Sequence, residues 1–352
     1  MIEIKPNNTY QKEFCRNLET CLYKQLKKSI ENKKVLSPNK KEIVSNLSDN
    51  DIKCLKYLKR NIKKIVGGDL ETLQAVINEV TNEISKKYKK NDSKPKIYQA
   101  VKHIFVDRGY EAKISTTSDT SIAYKLVENL GIKTCPYCNR SYISFVNEKK
   151  SNEDKDEKSN KKTRPQLDHF YPKAIYPFLA CSFYNLIPSC SACNHMKSDD
   201  DSYKDEKDGN LVHPYNIKDG DFTFSYTLND LKITEIFDTN KKDINFEYEE
   251  SIGISLNTNY SQNNEYFQLQ EIYQNHKDIV IELILKEINY PKSYIDELIK
   301  NGFGTEEEIY RFIFSNYLKT DDLHKRPLSK LTRDIVEELG ILEKIKLLIK
   351  EK

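Results

Sequence analysis

The stretch Gln166–Asn194 reads QLDHFYPKAIYPFLACSFYNLIPSCSACN. Asp168 and His169 lie near one end, inside an apolar-flanked segment whose pattern predicts a short strand. Asn185 opens NLIPSC, a second strand candidate, and Asn194 directly follows the Cys190–Cys193 CxxC. The segment SACNHMKSD predicts a short helix with Asn194 on its first turn. Strand, loop, strand and helix in that order can bring the polar residues to one surface.

Outward from this stretch, a second CxxC stands upstream at Cys135–Cys138. Each CxxC places two thiols close enough to grip one ion from a tight turn. Two such knuckles complete a tetrahedral four-sulfur site that suits Zn²⁺ and leaves no open position, which is the pattern of a structural zinc. The other cysteines, Cys15, Cys21, Cys54 and Cys181, sit in apolar or helical surroundings and read as small core fillers.

With these residues in place, the chain resembles the HNH endonucleases, the His-Me finger enzymes with a ββα-metal motif, in their zinc-knuckle form. The resemblance covers about residues 135–197 and rests on DH at Asp168–His169, NL at Asn185–Leu186, CSACN at Cys190–Asn194, and Lys197. The third position of the motif is Asn here rather than His, a variant the family also shows. The resemblance implies phosphodiester hydrolysis. His169 would be the general base, since an ordinary imidazole accepts a proton near neutral pH. Asp168 and Asn194 would be oxygen ligands to one catalytic divalent ion, Mg²⁺ or Mn²⁺. Asn185 would orient the loop carrying His169 through its side-chain amide, as a positioning residue rather than a ligand. His195 and His213 are further candidates for that metal, although His195 points about 100° from Asn194 on a helix. Lys173, Lys197, Arg140 and Arg164 flank the finger and are candidates for phosphate contacts.

A finer resemblance lies in CPYCNRSYI, in the 166–194 stretch and in HPY at His213–Tyr215. These look like the HNH subunit of Septu-type anti-phage systems and their retron-linked relatives. That likeness implies a DNA-cutting effector working beside an ABC-type ATPase partner. A single His-Me finger cuts one strand at a time, so a homo-oligomer or sequential nicks would be needed for a double-strand break. The rival reading is a non-catalytic zinc-ribbon module that binds nucleic acid or protein. It explains the four cysteines and leaves Asp168, His169 and Asn194 without a task.

The rest of the 352-residue chain bounds the class. Charged residues make up 32% and hydrophobic ones 38%, with a mean hydropathy of −0.73, so the expectation is a cytoplasmic protein without membrane contact. No signal peptide is evident in MIEIKPNNTYQKEF. A net charge of +3 excludes a grossly basic coat but not a local basic groove.

Residues 1–132 read as a helical region. Phe14, Leu18, Leu22, Leu26 and Ile30 fall on one helix face. Further helices are expected from Ser37–Pro38, over 51–66, from Asp69 and over 120–132. Residues 133–220 hold the nuclease-like core, with 147–164 as an exposed, disordered polar insertion. Residues 221–352 read as strands FTFSYTL and INFEYEE followed by helices. Leu269 to Ile284 form one apolar stripe that includes His276 as a packing residue, and a capping box stands at Thr305–Glu308. The expected class is α+β and mostly helical, with a central ββα-metal finger on a Cys₄ zinc knuckle between helical regions.

Overall fold

A computed structural model describes residues 1–36, 41–84, 95–116, 122–143, 163–228, 251–290 and 292–350. The fold is α+β and mostly helical, and among the described residues the strands form three two-stranded sheets. No helix among them is long and apolar enough to cross a membrane. The predicted insertion at 147–164 falls almost wholly outside the described residues, and the predicted strand INFEYEE wholly so. The sequence divides by composition at about 132 and 220. The compact units are interleaved instead: 5–131 with 143–207, and 1–4 with 132–142 and 208–352.

In the first of these units, α1 (Asn8–Asn32) begins where the Asn7 side chain accepts from the backbone N–H of Thr9 and Tyr10. It buries Phe14, Leu18, Leu22 and Leu26, the four-residue rhythm read from the sequence. The helix expected from Ser37–Pro38 does not continue into the described residues. Val35–Leu36 (β1) pairs antiparallel with Glu42–Val44 (β2) instead, as suits a short β-branched run. The expected 51–66 helix is two helices, α2 (Asp49–Arg60) and α3 (Ile62–Gly67). Asn61 divides them, its side chain donating to the Tyr57 carbonyl at 3.0 Å. A Ser48–Asp51 capping box starts α2. Asp69 accepts from Thr72 N–H at 2.9 Å and starts α4 (Leu70–Ile84).

α5 (Lys96–Val101) runs into a stretch of wider, π-type turns over Lys102–Ile114. α6 (Ile122–Leu130) ends at Gly131, whose φ of +66° is a conformation open to glycine. β3 (Gln166–His169) and β4 (Leu186–Ser189) then pair antiparallel, Asp168 opposite Ile187 and His169 opposite Leu186. α7 (Ser191–Lys197) and α8 (Ser202–Lys207) complete the unit.

In the other unit, β5 (Phe222–Leu228) pairs with β6 (Ile252–Thr258). The stripe from Leu269 to Ile284 is not one helix. After α9 (Ser261–Phe267) come α10 (Leu269–Tyr273), a 3₁₀ turn at Gln274–His276, and α11 (Lys277–Asn289). α12 (Lys292–Lys300) precedes α13 (Glu306–Phe314), which carries the Thr305–Glu308 capping box. α14 (Ser329–Glu338) and α15 (Ile341–Lys350) follow. α14 is enclosed along most of its length despite its charges. Its Lys330 pairs with Asp334 at 2.5 Å, and Asp334 also accepts from the Phe224 N–H of β5 at 2.9 Å.

Gly109 gives a direct test of how closely the first unit is packed. A Cβ there would lie 2.6 Å from Cys181 Sγ, whose thiol donates to the Phe105 carbonyl and is pushed up in pKa by burial. We expect Gly109→Ala to lower unfolding free energy by about 1–3 kcal/mol. Adding Cys181→Ala should recover part of that loss, since it removes the atom in conflict. Denaturant titration of the two single variants and the double variant reads the coupling.

Candidate functional site

The site is built on β3, β4, the loop between them, and α7. Strand alternation sends Gln166 and Asp168 to one face of β3 and Leu167 and His169 to the other. The contacts of these side chains follow that division.

On the loop face, the His169 ring is buried and its Nε2 lies 3.1 Å from the Ala180 carbonyl oxygen. A carbonyl can only accept, so Nε2 carries the hydrogen and Nδ1 of the neutral ring carries the lone pair. Tyr110 meets the ring edge-to-face at 4.4 Å between centroids. Burial first, and then the charge of Lys173, pushes the imidazole down to about 3.

The Ala180 carbonyl is held in place by Asn185, which is fully buried. The Asn185 oxygen accepts from Tyr171 N–H at 2.6 Å. Its amide donates to the carbonyls of Tyr171 at 3.1 Å and Leu179 at 3.0 Å. Asn185 thus ties the start of the loop to the residue beside Ala180. Its own carbonyl accepts from Phe170 N–H at 3.0 Å, which extends the β3–β4 ladder by one step.

On the helix face, Gln166 and Asp168 look toward α7. Asn194 donates its side-chain N–H to Gln166 Oε1 at 2.8 Å, which leaves its own Oδ1 as the ligand-capable atom. Lys197, one turn further along α7, is fully buried. Its ammonium donates to the His169 carbonyl at 3.0 Å and stands 3.6 Å from Asp168 Oδ2. The structure therefore groups Asp168 and Asn194 along the β3–α7 seam and sets the His169 ring on the opposite face of the strand. His195 is exposed on α7.

Each cysteine knuckle is shaped by local hydrogen bonds. A bridge between Thr134 and Tyr142 closes the first turn, in which Cys135 N–H donates to the Ser141 carbonyl at 3.0 Å and Arg140 N–H to Cys138 Sγ at 3.4 Å. Asn139, at a φ of +50°, is fully buried. It donates to Thr134 Oγ1 and the Leu323 carbonyl at 2.9 and 3.1 Å, and accepts from Lys330 N–H at 3.1 Å. In the second knuckle, Cys190 caps α7 and accepts from Cys193 N–H at 3.5 Å.

The ligand atoms of Cys135, Cys138, Cys190 and Cys193 all lie within 4.8 Å of one another, and none of these cysteines is in a disulfide. Four thiolates around Zn²⁺ at ~2.3 Å sit ~3.8 Å apart, so this set fits a tetrahedral zinc. Among the described residues no other cluster of three or more Cys, His, Asp or Glu ligand atoms is so compact.

Other expected contacts resolve differently. His213 is fully buried, stacks on Tyr215 and accepts from Tyr215 N–H at 3.3 Å. Arg140 donates to His276 Nε2 at 2.8 Å, so His276 is a half-buried acceptor as well as a packing residue. Burial first, then Arg140, holds the His276 pKa below its usual value. Arg164 donates to the Pro165 carbonyl and to Ser115, Lys173 stands over the Tyr110 ring, and the buried Lys197 faces inward rather than toward a phosphate. Sequence reasoning missed the Ala180 carbonyl and Gln166. A backbone acceptor has no residue signature. Gln166 was legible only as the residue two before Asp168, on the same strand face.

Two measurements check the site. Purified protein should carry about one zinc per chain, and Cys190→Ser should lose it together with cooperative unfolding at the wild-type temperature. Lys197→Met should cost about 3–5 kcal/mol in denaturant titration, because it removes the buried ammonium that stands 3.6 Å from the Asp168 carboxylate and donates to the His169 carbonyl. Compared with known proteins, the chain matches no family model, no curated protein and no solved structure.

Proposed function

We propose that the protein is a metal-dependent endonuclease of the HNH type. The observation that carries this reading is the restrained imidazole of a strand residue whose acidic neighbour in the chain faces α7 from the other side of the strand. His169 is fixed in one tautomer by the Ala180 carbonyl, in a loop clamped by Asn185, while the adjoining Asp168 faces the helix that carries Asn194. Hydrolysis of a phosphodiester requires a proton acceptor for the attacking water and oxygen ligands near the scissile phosphate.

His169 Nδ1 is the acceptor in this reading, and Ala180 holds the ring so that the accepted proton leaves the other nitrogen undisturbed. A phosphate anion beside the ring favours its protonated form and raises its basicity from the depressed value of the free protein. Asp168 and Asn194 offer one carboxylate and one amide oxygen, a donor set suited to a hard divalent ion that keeps water and phosphate oxygens as its other ligands. Such an ion, when bound, supplies charge neutralisation at the phosphate and the leaving oxygen. Asn185 is a positioning residue.

The zinc-ribbon alternative also has support. His169 is buried and Asp168 is already paired with Lys197, an arrangement that a purely structural pair would share. Supercoiled plasmid separates the two readings. The nuclease should nick it in Mg²⁺ or Mn²⁺ and not in EDTA. His169→Ala, with zinc content and circular dichroism unchanged, should slow nicking by about 10²-fold or more. Plasmid bound but never cut by wild-type protein in either ion would leave the zinc-binding module as the function.

We further propose DNA of invading phage as the target and an ABC-type ATPase as the partner that gates the nuclease. The support is the likeness of CPYCNRSYI, the 166–194 stretch and HPY to the effectors of such systems. Plaque assays with and without the ATPase gene, each repeated with His169→Ala, test it. Protection that survives His169→Ala would count against an effector role.

A further inference from the structure

We infer that the α1–α2–α3 surface is the platform on which duplex DNA lies while the β3–α7 site works. The inference rests on the nuclease reading for its choice of DNA as the polyanion. Its physical basis is a run of exposed cations along α2 and α3 with a second group on α1.

Residues 52–68 carry six lysines and arginines and no aspartate or glutamate, and residues 20–30 of α1 carry three lysines and likewise no acid. The overall charge of +3 hides this asymmetry. On α2 and α3, Lys53, Lys56, Arg60 and Lys63 recur at three- and four-residue steps and are all exposed, while Ile52, Leu55, Leu58, Ile62 and Ile65 are buried beneath them. The cations therefore form one stripe on the outer face of both helices, in spite of the break at Asn61.

Lys24, Lys27 and Lys28 are exposed on the neighbouring α1. The two helices meet at Tyr23, 43% exposed, with the Lys59 ammonium 5.4 Å from its ring centroid. Carboxylates flank the band at its ends: Asp49, 3.3 Å from Lys33, and Asp51 in the first turn of α2, Glu19 and Glu31 on α1, the latter 3.8 Å from Lys27, and Glu79, exposed on α4, where its charge reaches Tyr57. Basic side chains spaced along helices, with an exposed aromatic among them, match a phosphate backbone rather than a compact anion, which would need converging donors.

The position of the band ties it to the site. The Ile65 carbonyl of α3 accepts from the Ser182 hydroxyl, and Phe14 of α1 meets Phe183 edge-to-face at 5.4 Å. Ser182 and Phe183 belong to the β3–β4 loop that presents Ala180 to His169. The loop therefore packs against the buried side of the same helices whose outer face carries the stripe. A duplex held on that outer face would be bound by the same compact unit that carries the loop, with part of its backbone charge already neutralised.

The test is equilibrium binding of a fluorescent 20-base-pair duplex in EDTA, where no cutting can occur. Lys53→Glu/Lys56→Glu/Arg60→Glu should weaken binding about tenfold or more. The slope of log affinity against log salt should fall by about 2–3, as expected for lost phosphate contacts. The neutral triple Lys53→Gln/Lys56→Gln/Arg60→Gln should show the same direction with an unchanged melting temperature. The control Lys292→Glu/Lys300→Glu/Lys350→Glu, with the same charge change in the other unit, should lose markedly less. Equal losses in both reversed triples would overturn the inference, because only net charge would matter. So would unchanged DNA binding in the α2 triple alongside its loss of binding to phosphatidylserine vesicles, which would make the face a membrane surface. If the α2 triple loses DNA binding but wild-type protein never nicks plasmid, the platform stands and the nuclease reading falls.

Discussion

Four cysteine sulfurs within 4.8 Å of one another form a group that could hold one metal ion, and this is the strongest chemical constraint among the described residues. As thiolates they would repel one another, and as thiols they would form a weakly bonded polar cluster in a mostly buried place. A zinc ion, when bound, would resolve both problems, and its binding free energy would then count toward folding. The first knuckle is held by more than metal-capable sulfur. Tyr273 donates to the Cys138 carbonyl at 2.6 Å, and Asn139 satisfies the Leu323 carbonyl before α14 and the Lys330 N–H in its first turn. The second knuckle is the N-cap of α7, so whatever fixes Cys190 and Cys193 also fixes the helix that presents Asn194 and Lys197.

The loop between β3 and β4 is a second constraint of a different kind. It contains two short 3₁₀ turns, at Pro177–Leu179 and Phe183–Asn185, and its backbone is closed by short-range bonds such as Tyr176 N–H to the Pro172 carbonyl at 2.7 Å and Ser182 N–H to the Leu179 carbonyl at 3.0 Å. One buried amide adds longer-range ties to these. Asn185 uses its oxygen and both N–H groups on the loop's own backbone, which a hydrophobic residue of similar size could not do. The outcome is local rigidity where a ring nitrogen must be held at one carbonyl. Rigidity of this sort is useful to a site that must be organised before its substrate arrives, and the low exposure of His169 is its cost.

The Lys197–Asp168 pair shows how charge is managed in the same seam. Removing a lysine from water is expensive, and the pair alone does not repay it. The His169 carbonyl at 3.0 Å and the Phe170 ring at 5.8 Å supply further stabilisation of the ammonium. The same ammonium keeps the Asp168 carboxylate compensated in the free protein. The α1–α3 face is the opposite case: its cations stay in water, where mutual repulsion is screened and a polyanion can replace the counterions.

The sequence by itself determined the local chemistry. Paired CxxC spacing announced a four-sulfur cluster, the flanking patterns gave β3, β4 and α7, and Asp69, Gly131 and Thr305–Glu308 marked helix ends, because caps and knuckles are set by residues a few positions apart. It did not reveal that α2 breaks at Asn61 or that the 269–284 stripe is interrupted, since apolar periodicity continues through a local break in the backbone. Only the tertiary structure decided that Lys197 turns inward, that Ala180 meets His169, that Arg140 serves His276, and that the compact units interleave segments distant in the chain. Those outcomes depend on contacts between residues ten to more than a hundred positions apart. Their cause is the burial of polar groups, each of which must find a partner wherever the fold brings one within reach.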